Sequence, residues 1–375
     1  MGLGEKKEIV ARYILQGLKR DHALSVAGIS KHQYYHKPRK GKRGRKPSVH
    51  TLRIAPDEDN VERVDDTLVV DEIHQFHQDP DTDYGYRKMT FALMALGFII
   101  NHKKVYRLMK KALLLKDRHQ KAAREFVKYR KVLPSLPLEV LEMDIKFVWI
   151  ERDRKHAFVL TVIDTFTRVV IGRITAFSIN QHVVKQLWTK IIENYLQPYD
   201  CLNRQIAIEI RNDNDSRFIA TSVQKFFKEN QICQVFTHPY TPQENGHIES
   251  FHAILSKKLK RYVFWSLQDL EQCLVLFYEK YNNHRLHSST LYLPPMVFWQ
   301  CWNEGLVQVD VNQKQRKIKF KSLMPYQQLS GKMNLREVSC PQPKPLDGVE
   351  DENKIEMNGA VSFPPAGRAG LKPSV

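Results

Sequence analysis

No stretch of the chain approaches the roughly 18 consecutive apolar residues that a membrane span needs. The first residues, MGLGEKKEIVARYILQGLKRD, carry neither a continuous hydrophobic segment nor a small-residue cleavage site. A cytoplasmic protein is therefore expected. Cysteine is scarce: Cys201, Cys233, Cys273, Cys301 and Cys340 are odd in number, widely spaced and free of any C-x-x-C pair. That pattern supports neither a disulfide framework nor a cysteine zinc site. Acid is in deficit too, with 41 Asp and Glu against 59 Lys and Arg, for a net charge of +18. Yet 42% of residues are hydrophobic, so the chain can fold and is not merely a disordered cation. The excess charge calls for a polyanionic partner, because neutralising phosphates releases condensed counterions. An anionic membrane surface is the rival.

At 375 residues the chain predicts two or three domains. Residues 1–36 hold two short helical patterns broken near Asp21-His22, a Gly28 turn and a Ser30 N-cap, the outline of a small helix-turn-helix. A basic linker is expected over 37–56, where KPRKGKRGRKPS cannot pack and could lie along phosphates, through Arg43 and Arg45 among others. A second helical module spans 57–115. Its last helix, NHKKVYRLMKKALL, sets Val105, Leu108, Met109 and Ala112 opposite Lys103, Lys104 and Arg107. His74 and His77 share a helix face without a second ligand pair, which argues against zinc. After a linker at 116–138 the texture changes. EVLEMDIKFVWI, HAFVLTVID and RVVIGRITA read as strands in meander, followed by alternating helix and strand. A mixed sheet with helices on both faces is predicted, within a domain at 139–300. A small basic segment at 301–339 and a Pro/Gly-rich tail at 340–375, expected to be disordered, complete the chain.

Three acids stand out. Asp144 sits in a strand between Met143 and Ile145 and must be paired or bound to a cation. Asp213 follows IAIEIR at the carboxyl end of a strand, where sites of open sheets gather. Glu249 opens a long helix after 35 intervening residues, room for one helix and one strand between. Gly246 is expected to let the preceding loop fold closely.

The wording around these acids resembles the DDE transposases of bacterial insertion sequences, the second-frame product of the third insertion-sequence family. IRNDNDSRF, HPYTPQENGHIESFHAILSKKL, YNNHRLHSSTLYLPP and YGYRKMTFALMALGFIINHKKVYRLMKK each match a segment of that family, in order, over roughly residues 83–299. The resemblance implies an α/β RNase H-like catalytic core with a mixed five-stranded sheet, preceded by all-α helix-turn-helix modules. It implies Asp144, Asp213 and Glu249 as catalytic residues and metal ligands, holding two Mg²⁺ or Mn²⁺ ions. Its partners would be double-stranded DNA (element ends and target), further copies of the chain and an upstream-frame subunit, in a bacterial, nucleoid-associated setting. It also implies copying through a circular intermediate.

Departures accompany the match. Asp215 stands where the family has glycine and is a second candidate ligand, with 33 residues between it and Glu249. A basic residue usually follows the glutamate by seven positions, and here that position is Ser256. Lys260 returns to within about 20° of Glu249 around the helix and Lys257 to within about 80°. Lys257, Lys260, Arg261, Arg285, His287, Lys103 and Lys104 are thus candidate DNA contacts, with helix packing or a solvated face as the alternative. Asp164 is expected to cap a strand turn with Arg168. An inactive DNA-binding relic, or a nuclease that cuts without joining, remains the competing function.

Overall fold

The computed structural model describes residues 1–37, 47–54, 60–116, 132–238, 242–313 and 317–333. Arg43, Arg45 and the tail from residue 340 lie outside the described residues. The chain divides into two units, Met1–Ser48 and Val49–Val375. In the first, α1 (Leu3–Leu15), α2 (Arg20–Ala27) and α3 (Lys31–Tyr35) gather around Val10, Ala23, Leu24 and Ile29. Ser30 accepts from the Gln33 amide at 3.1 Å while the Gln33 side chain accepts from the Ser30 amide at 2.8 Å, a closed capping box. The break after α1 falls at residues 16–19, earlier than expected, because Gly17 takes a left-handed φ of 94°.

The larger unit opens on β1 (His50–Ile54) and β2 (Val61–Asp65), an antiparallel pair, before α4 (Asp66–Gln78), α5 (Tyr86–Ala95), β3 (Phe98–Ile99) and α6 (His102–Lys111). This corrects two expectations. The linker does not reach residue 56, and the second module is not all-helical, since β3 joins β1 in a three-stranded sheet. HTLRI and VERVD are too short and too charged to advertise strands, and each is held by its neighbour. Gly97, at φ 88°, makes room for them, as a Cβ there would sit 2.4 Å from the Ile54 carbonyl oxygen. Val69, Ile73, Met89, Leu93, Val105 and Met109 form the module's core. Asn101 caps α6 by accepting from the Lys103 and Lys104 amides at 3.0 Å.

Next come β4 (Val140–Ile150), β5 (Lys155–Asp164), β6 (Val170–Ala176), α7 (Gln181–Ile191, continued by a π turn to Leu196), β7 (Ile208–Asn212), α8 (Ser216–Ile219), α9 (Thr221–Glu229), β8 (Ile232–Phe236), α10 (Gly246–Leu259) and α11 (Leu267–Asn283). The sheet order is β6-β5-β4-β7-β8, antiparallel through β6, β5 and β4 and parallel from β4 to β8. This is the RNase H-like arrangement that the resemblance implied. One face packs on α7 and α9 through Trp188, Leu187, Val223 and Phe227. The other packs on α10 and α11 through Phe251, Leu255, Leu274 and Tyr278. Gly172 of β6 brings α7 close, since a Cβ would sit 2.6 Å from Ile191 Cδ1. Finally α12 (Pro295–Asn303), the hairpin β9 (Val307–Asn312) and β10 (Lys317–Ser322), and α13 (Tyr326–Ser330) pack around Phe166 and Phe298.

The α4–α6 module is fastened to this core by the loop after α4. Lys258 Nζ pairs with Asp81 Oδ2 at 2.6 Å, Lys280 with Asp79 at 3.0 Å, and Arg285 Nη1 donates to the Asp81 carbonyl at 2.8 Å. Beside them the Leu286 amide donates to the Tyr84 hydroxyl at 3.1 Å, and Phe91 stacks on Tyr292 with ring centroids 3.9 Å apart. Lys258 and Asp81 are both mostly buried, so Asp81→Asn strands a desolvated ammonium. The expected loss is about 1–3 kcal/mol in urea unfolding of the full chain.

Candidate active site

The parallel β4/β7 register aligns Val140 with Glu209, Leu141 with Ile210 and Glu142 with Arg211. Carried two residues further, it sets Asp144 level with Asp213, just past the end of β7. The two carboxylates feel each other. Asp213 is held above the usual carboxylate range, first by desolvation of its carboxyl and then by the negative charge of Asp144. Neither forms an ion pair with Lys or Arg among the described residues. Asp144 instead accepts from the Ile145 amide at 2.7 Å and faces His252 Nδ1 at 3.2 Å. Asparagines brace the loop: Asn212 Nδ2 donates to the Asp213 carbonyl at 2.7 Å and Asn214 Nδ2 to the Thr237 carbonyl at 3.2 Å.

Asp215 is occupied otherwise. It caps α8 by accepting from the Arg217 amide at 2.9 Å and takes the Arg217 guanidinium at 2.7 Å, which holds its carboxyl below the usual range. Asp164 is buried and caps the β5–β6 turn as expected, accepting from the Thr167 amide and hydroxyl at 2.9 and 2.6 Å and from the Phe166 amide at 3.2 Å. Arg168 closes the turn through its backbone, its amide donating to the Asp164 carbonyl at 2.9 Å, while its side chain donates to Ser289 Oγ at 3.2 Å.

Glu249 lies exposed in the first turn of α10, one turn before the His252 that meets Asp144. Two of the three acids are thus brought together, and the third sits on the helix whose His252 meets one of them. Among the described residues, no three His, Cys, Asp or Glu side chains form a ready metal shell. Gly246 needs no special conformation, since a Cβ there would meet nothing within 4 Å. What positions α10 is Glu142, a residue the sequence reading passed over. It is fully buried, and its Oε2 accepts from the His247 and Ile248 amides at 2.9 and 2.7 Å while Oε1 takes His247 Nδ1 at 2.7 Å. A carboxylate on the first amides of a helix satisfies orphan donors and meets the positive end of the dipole. The available signal was an acid two residues before Asp144, on the same side of an otherwise apolar strand.

The expected DNA contacts separate into two groups. Lys103, Lys257, Lys260 and Arg261 are exposed, Arg261 with a loose 3.7 Å approach to Asp81. Lys104, Arg285 and His287 are engaged within the protein instead. Lys104 turns inward to Asp66 and the His50 carbonyl, both at 2.6 Å. Arg285 belongs to the module seam described above. His287 is pushed down to about 3 by burial and by Arg168, Lys88 and Arg285, so it is neutral and cannot neutralise a phosphate.

With this geometry in view, three family models match the chain. Two of integrase core domains cover residues 134–242 and 230–295, and one of an HTH-like domain covers 63–122. The insertion element IS476 uncharacterized 39.2 kDa protein of Xanthomonas euvesicatoria is 29% identical over 217 residues, 57% of this chain and 60% of that one. The putative transposase InsK for insertion sequence element IS150 of Escherichia coli is 26% identical over 231 residues, 57% of this chain and 77% of that one. The match thus spans well under two thirds of the first relative's length. A solved structure, the catalytic domain of Mos1 mariner transposase, aligns at 15% identity over 38% of this chain and 70% of its own, with a TM-score of 0.34, too low to carry an argument. Among the described residues no helix is long and apolar enough to cross a membrane. The chain thus matches an HTH-like domain and then an integrase core domain, and over 57% of its length it is similar to insertion-element proteins, one of them a putative transposase.

Proposed function

We propose that the chain is a transposase that nicks the ends of its element to free 3′-hydroxyls and joins them to target DNA by direct transesterification. The observation that carries this is the level placing of Asp144 and Asp213 at neighbouring parallel strands, with α10, the helix of Glu249, bringing His252 to Asp144. Adjacent carboxylates without a lysine or arginine between them suit a hard divalent cation, and three such donors leave coordination positions for water and phosphate. Asp144, Asp213 and Glu249 would hold two Mg²⁺ or Mn²⁺ ions. Bound metal would stabilise the charge developing on the attacking, leaving and non-bridging phosphoryl oxygens.

The chain's own groups do the rest. His252 fixes the Asp144 carboxylate. Glu142 anchors the start of α10 and so the backbone from which Glu249 projects. Lys257, Lys260 and Arg261 meet phosphates on the α10 side, and Lys103 meets duplex from α6. In cleavage a water oxygen bonds to phosphorus as the P–O3′ bond breaks and the 3′-oxygen leaves with a proton. In joining, that 3′-hydroxyl attacks a target phosphodiester and a target 3′-hydroxyl departs, so no bond to the enzyme is needed. Homo-oligomers bridging two ends, and an upstream-frame subunit, complete the assembly.

The test is an assay of oligonucleotides bearing element ends with Mg²⁺, scored for nicks and for joined products. Nicks without joins would indicate a nuclease, and binding with neither product a relic. A second expectation concerns stability. The raised Asp213 pKa means that its proton is favoured in the folded state, so ionisation above the carboxylate range works against folding at neutral pH. Mg²⁺ should therefore raise the melting temperature at pH 7. It should do so by about 2.7 kcal/mol of apparent stability at a hundredfold excess over Kd. Asp213→Asn should melt higher than the parent in EDTA and lose the response to Mg²⁺, both readable by scanning calorimetry.

A further inference from the structure

Beyond Asp144 the sheet changes character. Met143 and Ile145 of β4 are buried beneath α7 and α9, but the next residues on that face, Phe147 and Trp149, are 53% and 43% exposed. Their cross-strand partners on β5 are also rings, since Phe147 pairs with Phe158 and Trp149 with His156. The four form one contiguous block, with centroids 5.1 Å apart for Phe147–Phe158, 5.1 Å for Trp149–His156 and 6.5 Å for Phe147–His156. β7 ends at Asn212, level with Met143. Among the described residues, this half of β4 therefore has a strand neighbour on one side only. The open edge leads to the loop after β7, where Arg217, four residues beyond Asp213, lays its guanidinium 5.0 Å from the Phe158 ring centroid.

We propose that Phe147, Trp149, His156 and Phe158 form a stacking platform for unpaired bases of a DNA strand that leaves the Asp144–Asp213 pair along the 213–217 loop. The proposal deepens the transposase reading and rests on it. Three observations favour a nucleic acid strand over a second copy of the chain. Bases stack on aromatic faces without sequence preference, and a guanidinium over a ring completes the usual single-strand chemistry. Arg217 is fixed by Asp215 at 2.7 Å, so the cation is held in place beside the rings. Phe147 also lies three residues beyond Asp144, roughly 10 Å along the strand, within reach of the nucleotides next to a reacting phosphate. The rings occupy the opposite pleat from Asp144, so the strand must cross the open edge of β4. Once nicked, a duplex end can unpair to make that crossing.

The test uses the full chain in EDTA, with fluorescence anisotropy on labelled oligo-dT and on a blunt hairpin duplex. The doubly substituted F147A/W149A chain should bind oligo-dT about 10- to 100-fold more weakly while its duplex affinity changes less than threefold. The F147L/W149L chain keeps apolar bulk but removes the π faces, and should show the same selective loss. F147Y/W149F should retain binding. Oligo-dT should also quench Trp149 fluorescence. Unchanged oligo-dT affinity in the leucine variant overturns the proposal. So does a shift in sedimentation with oligo-dT affinity intact, which would assign the rings to a contact between copies. Because these readouts need no cleavage, a chain that stacks oligo-dT but never cuts would refute the transposase reading alone.

Discussion

Asp144→Asn, Asp213→Asn and Glu249→Gln, each made alone, are expected to lower Mg²⁺-dependent cleavage and joining by at least about a thousandfold, with DNA binding and the circular dichroism spectrum unchanged. The size follows from the chemistry. A metal contributes several kcal/mol of charge stabilisation at phosphorus, and each 1.36 kcal/mol is tenfold in rate. Removing one anionic ligand from a site with only three forfeits much of that. Asp144 and Asp213 act on each other electrostatically and come from different strands, so neither can be replaced by the other. Glu249 is the sharper test, because it lies exposed in the first turn of α10 and not in the sheet that carries the other two acids. Asp215→Asn provides the contrast. Its carboxylate already serves Arg217 and the start of α8, so a loss of less than tenfold is expected. Inactivity of Asp215→Asn together with activity of Asp213→Asn would reverse the assignment. Manganese should rescue the Asp variants better than Glu249→Gln if the third acid is recruited only on binding.

Much of this was legible in the chain, and the reasons differ by element. Alternation over EVLEMDIKFVWI and the two strands after it announced the central sheet, because one buried face forces a period of two. Asp144 stood out because an acid inside an apolar strand needs a partner. The hairpin of β1 and β2 did not stand out, because its strands are held by pairing with each other and with Phe98-Ile99 rather than by an apolar stripe. Charged residues were the least readable. Lys103 and Lys104 are adjacent in sequence, yet one reaches solvent and the other is buried against Asp66. Arg285 lies in a matched motif, but its partner is the Asp81 carbonyl, 204 positions away. A motif reports that a residue matters without reporting which neighbour makes it matter.

Glu142→Ala is expected to cost about 3–5 kcal/mol of folding stability and to impair catalysis in the fraction that folds. The alanine leaves the His247 and Ile248 amides and the His247 ring without the buried carboxylate that accepts from all three. Each orphaned donor costs roughly 1–3 kcal/mol, more where the lost acceptor was charged. Glu142→Gln separates stability from position. Its amide oxygen can still accept from one or both backbone amides, so most of the fold should survive in urea titration. It loses the charge, and with it the attraction between a carboxylate and the positive end of α10. His247 adds a pH signature. Burial, followed by the nearby Arg168, lowers its pKa, so the ring is neutral when folded and donates from Nδ1 to Glu142. A histidine depressed in this way contributes stability above its unfolded value near 6.5. That stability is lost as the pH falls through the lower folded value. His247→Gln should therefore flatten the acid limb of the stability curve. If Glu142→Gln folds normally, yet needs much more Mg²⁺ for half-maximal cleavage than the parent, the start of α10 sets the reach of Glu249. If its metal requirement is unchanged, Glu142 serves the fold alone.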